Sequence, residues 1–202
     1  VAITSHKPQT TRHRILGIRS EDDGQIVFVD TPGIHDRGDK AMNFYLNRTA
    51  HSALQDVDIL IFVVQALAWT EEDERVLKAI KKAGIPTIAA VNKVDLVSRK
   101  EELLPFMQDL AARHEFVEMV PVSAHDGDNV EALAETVMKR LPAGEAIFPD
   151  DQISDRSERF FAAELLREQL IRRYHQELPY AVTVEIERFE EQDGRYNIGA
   201  VI

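Results

Sequence analysis

Apolar positions along the chain follow two alternating rhythms. Short, nearly continuous runs rich in β-branched residues occur at Ile26-Val27-Phe28-Val29, Ile59-Leu60-Ile61-Phe62-Val63-Val64, Thr87-Ile88-Ala89-Ala90-Val91 and Val120-Pro121-Val122. Runs of this kind predict strands of a sheet covered on both faces. Between them apolar residues recur at helical spacing: Val76, Leu77 and Ile80, then Leu103, Leu104, Met107 and Leu110, then Val130, Leu133 and Val137. The first of these helices is marked at both ends. Glu71-Glu72-Asp73 places acids in its first turn, and Lys81-Lys82 precede Gly84 at its end, matching the helix dipole and the left-handed residue that closes many helices. Strand–helix–strand alternation predicts right-handed crossovers and an α/β sandwich. His13 to Ser20 reads as a strand entering the acidic turn Glu21-Asp22-Asp23-Gly24. That hairpin would give the sheet one antiparallel edge strand.

The rhythm changes after Leu141. Pro142-Ala143-Gly144 ends a helix, and Pro149-Asp150-Asp151 reads as linker. A helix is predicted from about Ser157 to Tyr174, with Phe161, Leu165, Leu166 and Leu170 as its buried face. An alternating strand, Val182-Thr183-Val184-Glu185-Ile186, follows. A polar turn at Glu190 to Gly194 and a further strand-like run to Ile202 complete the pattern. The expected organisation is a first domain over 1–142, a linker over 143–154 and the opening of a second domain over 155–202.

Composition narrows the picture. Of the 202 residues, 44% are hydrophobic and 29% charged, an ordinary balance for a soluble globular chain. The absence of cysteine rules out a disulfide framework and a thiolate zinc site within these residues, and fits a reducing compartment. No apolar run approaches the roughly 18 residues that span a bilayer. A net charge of −11 makes the chain a poor general polyanion binder, so any nucleic-acid contact must be local.

The polar residues at the strand ends carry candidate chemistry. Asn92-Lys93-Val94-Asp95 follows the strand Thr87 to Val91. The Asp95 carboxylate can accept two hydrogen bonds, from N1 and the 2-amino group of guanine, a donor pair adenine lacks. A site built for those bonds rejects the wrong base, because its polar groups would be left unpaired. The Lys93 stem can lie over the flat base, and Asn92 can tie the loop to its neighbours. The same residues would also make a polar cap after a strand. Asp30-Thr31-Pro32-Gly33 ends the strand Ile26 to Val29. Asp30 can hold Mg²⁺, often through water, and the Gly33 N–H can approach a terminal phosphate unobstructed. This segment is equally a good β-turn. Ser123-Ala124 follows the strand Val120 to Val122, where a backbone N–H can meet the guanine carbonyl. Alone it says almost nothing. All three segments lie where open α/β sheets bind ligands, at the carboxyl ends of strands. Upstream, a hydroxyl of Thr10 or Thr11 can reach the same Mg²⁺ in a loop that a γ-phosphate would hold and hydrolysis would release.

In this arrangement the chain resembles the TRAFAC class of GTPases, and within it the Era family of ribosome-assembly GTPases. The resemblance rests on Gln9-Thr10-Thr11-Arg12-His13-Arg14, Asp30-Thr31-Pro32-Gly33-Ile34-His35, Asn92-Lys93-Val94-Asp95 and Pro121-Val122-Ser123-Ala124. Asp155-Arg156-Ser157-Glu158-Arg159-Phe160 and Glu177-Leu178-Pro179-Tyr180-Ala181-Val182 resemble the opening of that family's type II KH domain. The resemblance implies a Ras-like P-loop GTPase sheet sandwiched by helices, followed by the start of a KH domain. It implies hydrolysis of GTP to GDP with Mg²⁺, and binding of the 3′ region of small-subunit ribosomal RNA during small-subunit assembly. It also implies a cytoplasmic monomer with a peripheral contact at the inner membrane. GTP-binding residues would be Asp30, Thr31, Pro32, Gly33, Ile34, Asn92, Lys93, Val94, Asp95, Ser123 and Ala124, with Thr10, Thr11 and Asp30 serving Mg²⁺.

Two family elements do not occur in these 202 residues: the G-x-x-x-x-G-K-[ST] phosphate loop and the GXXG clamp of a KH domain. The first is expected before Val1 and the second after Ile202. Ile34 stands where Ras places a water-orienting glutamine. It cannot hydrogen-bond water, so slow intrinsic hydrolysis is expected, with water placed by backbone or other groups. The adjacent His35 reads as a solvated loop residue. Two other readings compete: an RNA- or ribosome-docking module without nucleotide binding, and another TRAFAC GTPase acting elsewhere. Trp69 receives no functional role.

Overall fold

The computed structural model describes residues 2–4, 10–30, 57–173 and 182–202. These pack as two compact units, one formed within 23–26 and 34–147, the other within 1–22, 27–33 and 148–202.

The first unit is built on three parallel strands, β3 (Leu60–Gln65), β4 (Thr87–Asn92) and β5 (Glu118–Pro121), side by side in that order. Register places Gln65 opposite Asn92 and Val91 opposite Pro121, so β5 ends one residue short of its neighbours. β4 is the central strand, and Thr87 through Val91 are all buried, as an unbroken apolar run requires. β3 alternates instead, with Val63 56% exposed.

Helices α1 (Glu71–Ala83), α2 (Leu103–Arg113) and α3 (Val130–Met138) intervene or follow. α1 starts on a capping box: Thr70 Oγ1 accepts from the Asp73 N–H at 3.2 Å, and Asp73 Oδ2 accepts from the Thr70 N–H at 2.8 Å. It ends at Gly84, whose φ of 68° favours a residue without Cβ and whose N–H donates to Ile80 O at 3.1 Å. Leu77, Ile80 and Leu110 close over Phe62, Val64, Ala89 and Val91 to make the core. Trp69 belongs to that core's margin. It meets Phe62 edge-on at 6.2 Å, and the Arg113 guanidinium lies 4.5 Å above its ring. Its Nε1–H donates to Glu74 at 3.3 Å.

The other unit contains strand β1 (Ile15–Glu21) and most of its hairpin partner β2 (Gly24–Asp30), helix α4 (Glu158–Arg173), and the antiparallel hairpin β6 (Glu185–Gln192) and β7 (Arg195–Val201). β1 and β2 pair with each other in a two-stranded sheet. Two expectations change in this unit. β6 begins later and runs further than the alternation suggests. Only Asp193 and Gly194 turn, with φ of 54° and 72°, the two-residue geometry that an Asp-Gly hairpin adopts. The polar run before them is strand by pairing with β7, and both faces of this hairpin are largely exposed.

The second change concerns α4. Its buried residues are Glu164, Arg167 and Ile171, while Leu165 is 58% exposed and Leu166 is also exposed. Its polar side chains bond to main-chain groups near the start of the chain. Glu168 Oε1 accepts from the Thr4 N–H at 2.9 Å, and Arg167 Nη2 donates to Thr10 O at 2.8 Å. Just ahead of it, Ser154 Oγ donates to Leu16 O at 2.6 Å, and Asp155 Oδ1 accepts from the Leu16 N–H at 3.1 Å. These bonds join residues within 1–22 to residues within 148–202, all in one packing unit. Among the described residues no helix is long and apolar enough to cross a membrane.

Leu77 is 1% exposed at the centre of the core. Leu77→Ala is expected to lower stability by about 2–5 kcal/mol through lost transfer energy plus the cavity left behind, read as a shift in the urea midpoint. A loss under about 1 kcal/mol would mean the site collapses and the core is not closed there.

Candidate functional site

The parallel sheet delivers its polar residues to one end. Asn92 is the last residue of β4. Asn92 Oδ1 accepts from the Lys93 N–H at 2.7 Å and from the Ala124 N–H at 3.0 Å. One carbonyl oxygen thereby fastens the loop after β4 to the loop after β5. The backbone follows: the Val94 N–H donates to Val122 O at 3.3 Å. Lys93 adopts a left-handed conformation, φ 66° and ψ 36°, which costs a non-glycine residue roughly 1–2 kcal/mol. Strain of that kind is retained where surrounding bonds over-determine the turn. Its side chain is exposed, and Nζ donates to Gln65 Oε1 at 3.0 Å.

Asp95 follows on a short 3₁₀ turn over Val94–Leu96. Ser123 Oγ donates to Asp95 Oδ1 at 2.7 Å and accepts from the Asp126 N–H at 3.1 Å. Ser123 is 0% exposed, while Asp95 is exposed. The buried hydroxyl therefore aims an open carboxylate. The loop around it is closed by Ser123 N–H to Asp128 O at 3.0 Å, Gly127 N–H to Ser123 O at 2.8 Å and Asn129 Nδ2 to Pro121 O at 2.9 Å.

His125 lies beside this carboxylate. Its Nδ1 is 2.6 Å from Asp126 Oδ1. That hydrogen bond first, then the charges of Asp126 and Asp95, raise its pKa above the ordinary value. Asp95, His125 and Asp126 bring potential ligand atoms within 4.8 Å of one another, all from exposed side chains.

Of the predicted residues, Asn92, Lys93, Val94, Asp95, Ser123 and Ala124 come together as one cluster. The Ala124 N–H, expected to face a guanine carbonyl, donates to Asn92 here. The other unit carries the expected metal residues: Thr11 Oγ1 donates to Asp30 Oδ2 at 3.3 Å, at the end of β2, with Thr10 adjacent. Their hard oxygen donors are of the kind Mg²⁺ takes. Thr31, Pro32, Gly33, Ile34 and His35 lie outside the described residues, as do Gln9 and the segment from Glu177 to Ala181. Sequence reasoning missed Gln65 and the His125-Asp126 pair. Gln65 was detectable as the polar residue ending an apolar run.

Residues 1–93 match the model of the 50S ribosome-binding GTPase family. GTPase Era of Azotobacter vinelandii is 53% identical over all 202 residues, which cover 67% of that protein. GTPase Era of Pseudomonas aeruginosa is 50% identical over the same residues, covering 66% of it. The chain belongs to the Era family of GTPases. It spans about two thirds of the length of these curated relatives. A solved structure of a point variant of Aquifex aeolicus Era bound to GDP·AlF₄⁻ aligns with 99% of the chain and 69% of its own at 33% identity and a TM-score of 0.92. Era in complex with MgGDPNP and nucleotides 1506–1542 of 16S ribosomal RNA aligns at 33% identity and a TM-score of 0.91, again over 99% of this chain and 69% of that one. The α/β architecture described above is thus the Era-like GTPase fold, and GTP hydrolysis is the activity that names the family.

Ser123→Ala keeps the side-chain volume nearly constant but removes a hydrogen bond to a charged group. It is expected to cost about 1.5–3 kcal/mol of stability and to loosen nucleotide binding. Denaturant unfolding and nucleotide titration would read both, and an unchanged affinity would mean Asp95 is aimed by something else. His125 is expected to titrate above 6.5 by NMR and to return toward that value in Asp126→Asn. Because the folded pKa is raised, this pair's contribution is complete below about 6.5 and is lost as pH rises through the raised value. A midpoint at or below 6.5 would remove the pair.

Proposed function

We propose that the protein is a guanine-nucleotide switch that hydrolyses GTP with Mg²⁺ and binds small-subunit ribosomal RNA while that subunit assembles. The observation that carries the reading is the exposed Asp95 carboxylate, held through one oxygen by the buried Ser123 hydroxyl. An acceptor fixed in that way suits the paired N1 and 2-amino donors of guanine. Lys93, with its head on Gln65, lays its stem alongside. The Ala124 N–H is shared between Asn92 and the guanine carbonyl once the base is bound.

Asp30 with Thr11, or Thr10, would hold Mg²⁺, whose role when bound is to neutralise charge on the phosphates. Gly33 senses the γ-phosphate through its backbone. Water attacks the γ-phosphorus as GDP leaves, and Ile34 supplies no hydrogen bond to orient that water, so unassisted turnover is slow. The RNA part rests on the likeness to the Era–16S RNA complex and on residues 155–202 as the opening of a type II KH domain. In the same reading the protein is a cytoplasmic monomer with a peripheral contact at the inner membrane. Sedimentation and cell fractionation test that, and recovery only as an integral membrane species would contradict it.

Asp95→Asn replaces the acceptor by an amide that can donate to the 2-oxo group of xanthine. The full protein carrying it is expected to lose at least about 100-fold in GTP affinity and to gain XTP binding, both measurable with fluorescent nucleotides. GTP affinity unchanged by Asp95→Asn would sink the base-reading role. A wild-type protein that binds the RNA but no nucleotide would favour a docking module instead.

A further inference from the structure

Helix α4 buries a charged pair where its sequence offered leucines. Arg167 is 3% exposed and Glu164 9% exposed. Arg167 Nε donates to Glu164 Oε1 at 2.7 Å and Nη2 to Oε2 at 2.6 Å, a two-point fork. Nη2 also donates to the main-chain carbonyl of Thr10 at 2.8 Å. Nη1 is buried and has no hydrogen-bond partner among the described residues. Desolvating such a pair is costly, and apolar residues of similar size often serve stability as well or better. What apolar residues cannot do is hold a carbonyl in one direction.

The held carbonyl belongs to the segment expected to respond to nucleotide. Two residues on, the half-buried Arg12 donates through Nη1 to Val182 O at 3.0 Å. Burial first, and then the nearby Arg167 charge, lower the Arg12 pKa, while Glu164 opposes them. Thr10 and Arg12 are therefore both fastened to residues of the chain's last third. Thr11, between them, places its hydroxyl 3.3 Å from Asp30 Oδ2.

We infer that Arg167, oriented by Glu164, is a positioning residue for the switch segment: its bond to the Thr10 carbonyl sets where the Thr11 hydroxyl stands relative to Asp30. The inference rests on the GTPase reading for its consequence, while the tether itself is independent of it. Because the link is a binding free energy, it acts in both directions. Whatever moves α4 changes the affinity for the triphosphate, and γ-phosphate capture of Thr11 pulls on α4.

The test uses the full-length protein with Glu164→Leu/Arg167→Met, which removes both charges together and leaves neither unpaired, and Arg167→Lys, which keeps a cation without the fork. Amide hydrogen exchange in peptides covering Thr10 to Arg14 is expected to speed up in both, with exchange in β3 to β5 unmoved. GDP affinity should hold, the GTP-to-GDP affinity ratio should fall, and kcat should drop about 10- to 100-fold, the scale of a displacement near 1 Å. Arg167→Lys should show the smaller loss. Unchanged exchange at Thr10 to Arg14 overturns the proposal, and so does faster exchange with the ratio and kcat intact. If the wild type binds no GTP while exchange in the variants still quickens, the GTPase reading fails and the tether stands.

Discussion

A single side-chain carbonyl organises the carboxyl end of the parallel sheet. Asn92 Oδ1 accepts from two backbone N–H groups, one in its own loop and one in the loop after β5. Without it, two chain segments that are 32 residues apart would each close independently, and the left-handed turn at Lys93 would lose a bond that offsets its strain. The polar contacts at this end depend on that registration: Lys93 reaching Gln65, Ser123 reaching Asp95, and the tight Ser123–Asp128 loop. The parallel register supplies the foundation, because it sets Gln65 opposite Asn92 and Pro121 opposite Val91. The core beneath is closed by Leu77, Ile80 and Leu110, and a close-packed core transmits position faithfully to the loops above it.

The other unit adds polar fastening to buried apolar residues such as Ile15, Ile18, Ile171 and Ile186. Ser154, Asp155, Glu168 and Arg167 bind main-chain groups of Thr4, Thr10 and Leu16. Directional bonds of this type fix orientation more than they add net stability. The division of labour suits the proposed switch. In that reading a rigid apolar sheet presents the base-reading residues, and a polar clamp holds the segment that must respond to phosphate.

Much of this is legible in the chain. The parallel strand runs, the helix α1 with its acids, lysines and glycine, and the Asn92-Lys93-Val94-Asp95 and Ser123-Ala124 segments all lie where the pattern places them. Buried parallel strands carry a strong signal because both of their faces must be apolar. The differences have physical causes. Leu165 and Leu166 fit a core face because helical spacing does not say which way a helix is turned, and here Glu164, Arg167 and Ile171 are its buried residues. β6 exceeds its pattern because a hairpin solvated on both faces has no apolar alternation to mark it. The bond from the Ala124 N–H to Asn92 Oδ1 is not legible in the pattern, because the two residues are remote in sequence.

The sequence by itself determined the α/β class, and it placed at strand ends the residues proposed to read guanine and the oxygens proposed to hold Mg²⁺. These follow from side-chain type and local period, which are properties of neighbours along the chain. Only the tertiary structure decided that Asn92 joins two loops, that Ser123 aims Asp95, and that α4 turns Glu164 and Arg167 inward onto Thr10. Each of those rests on a hydrogen bond between residues distant in sequence, or on the rotation of a helix about its own axis. Neither quantity is written in the period of the chain, because each is set by which distant partner can satisfy a buried polar atom.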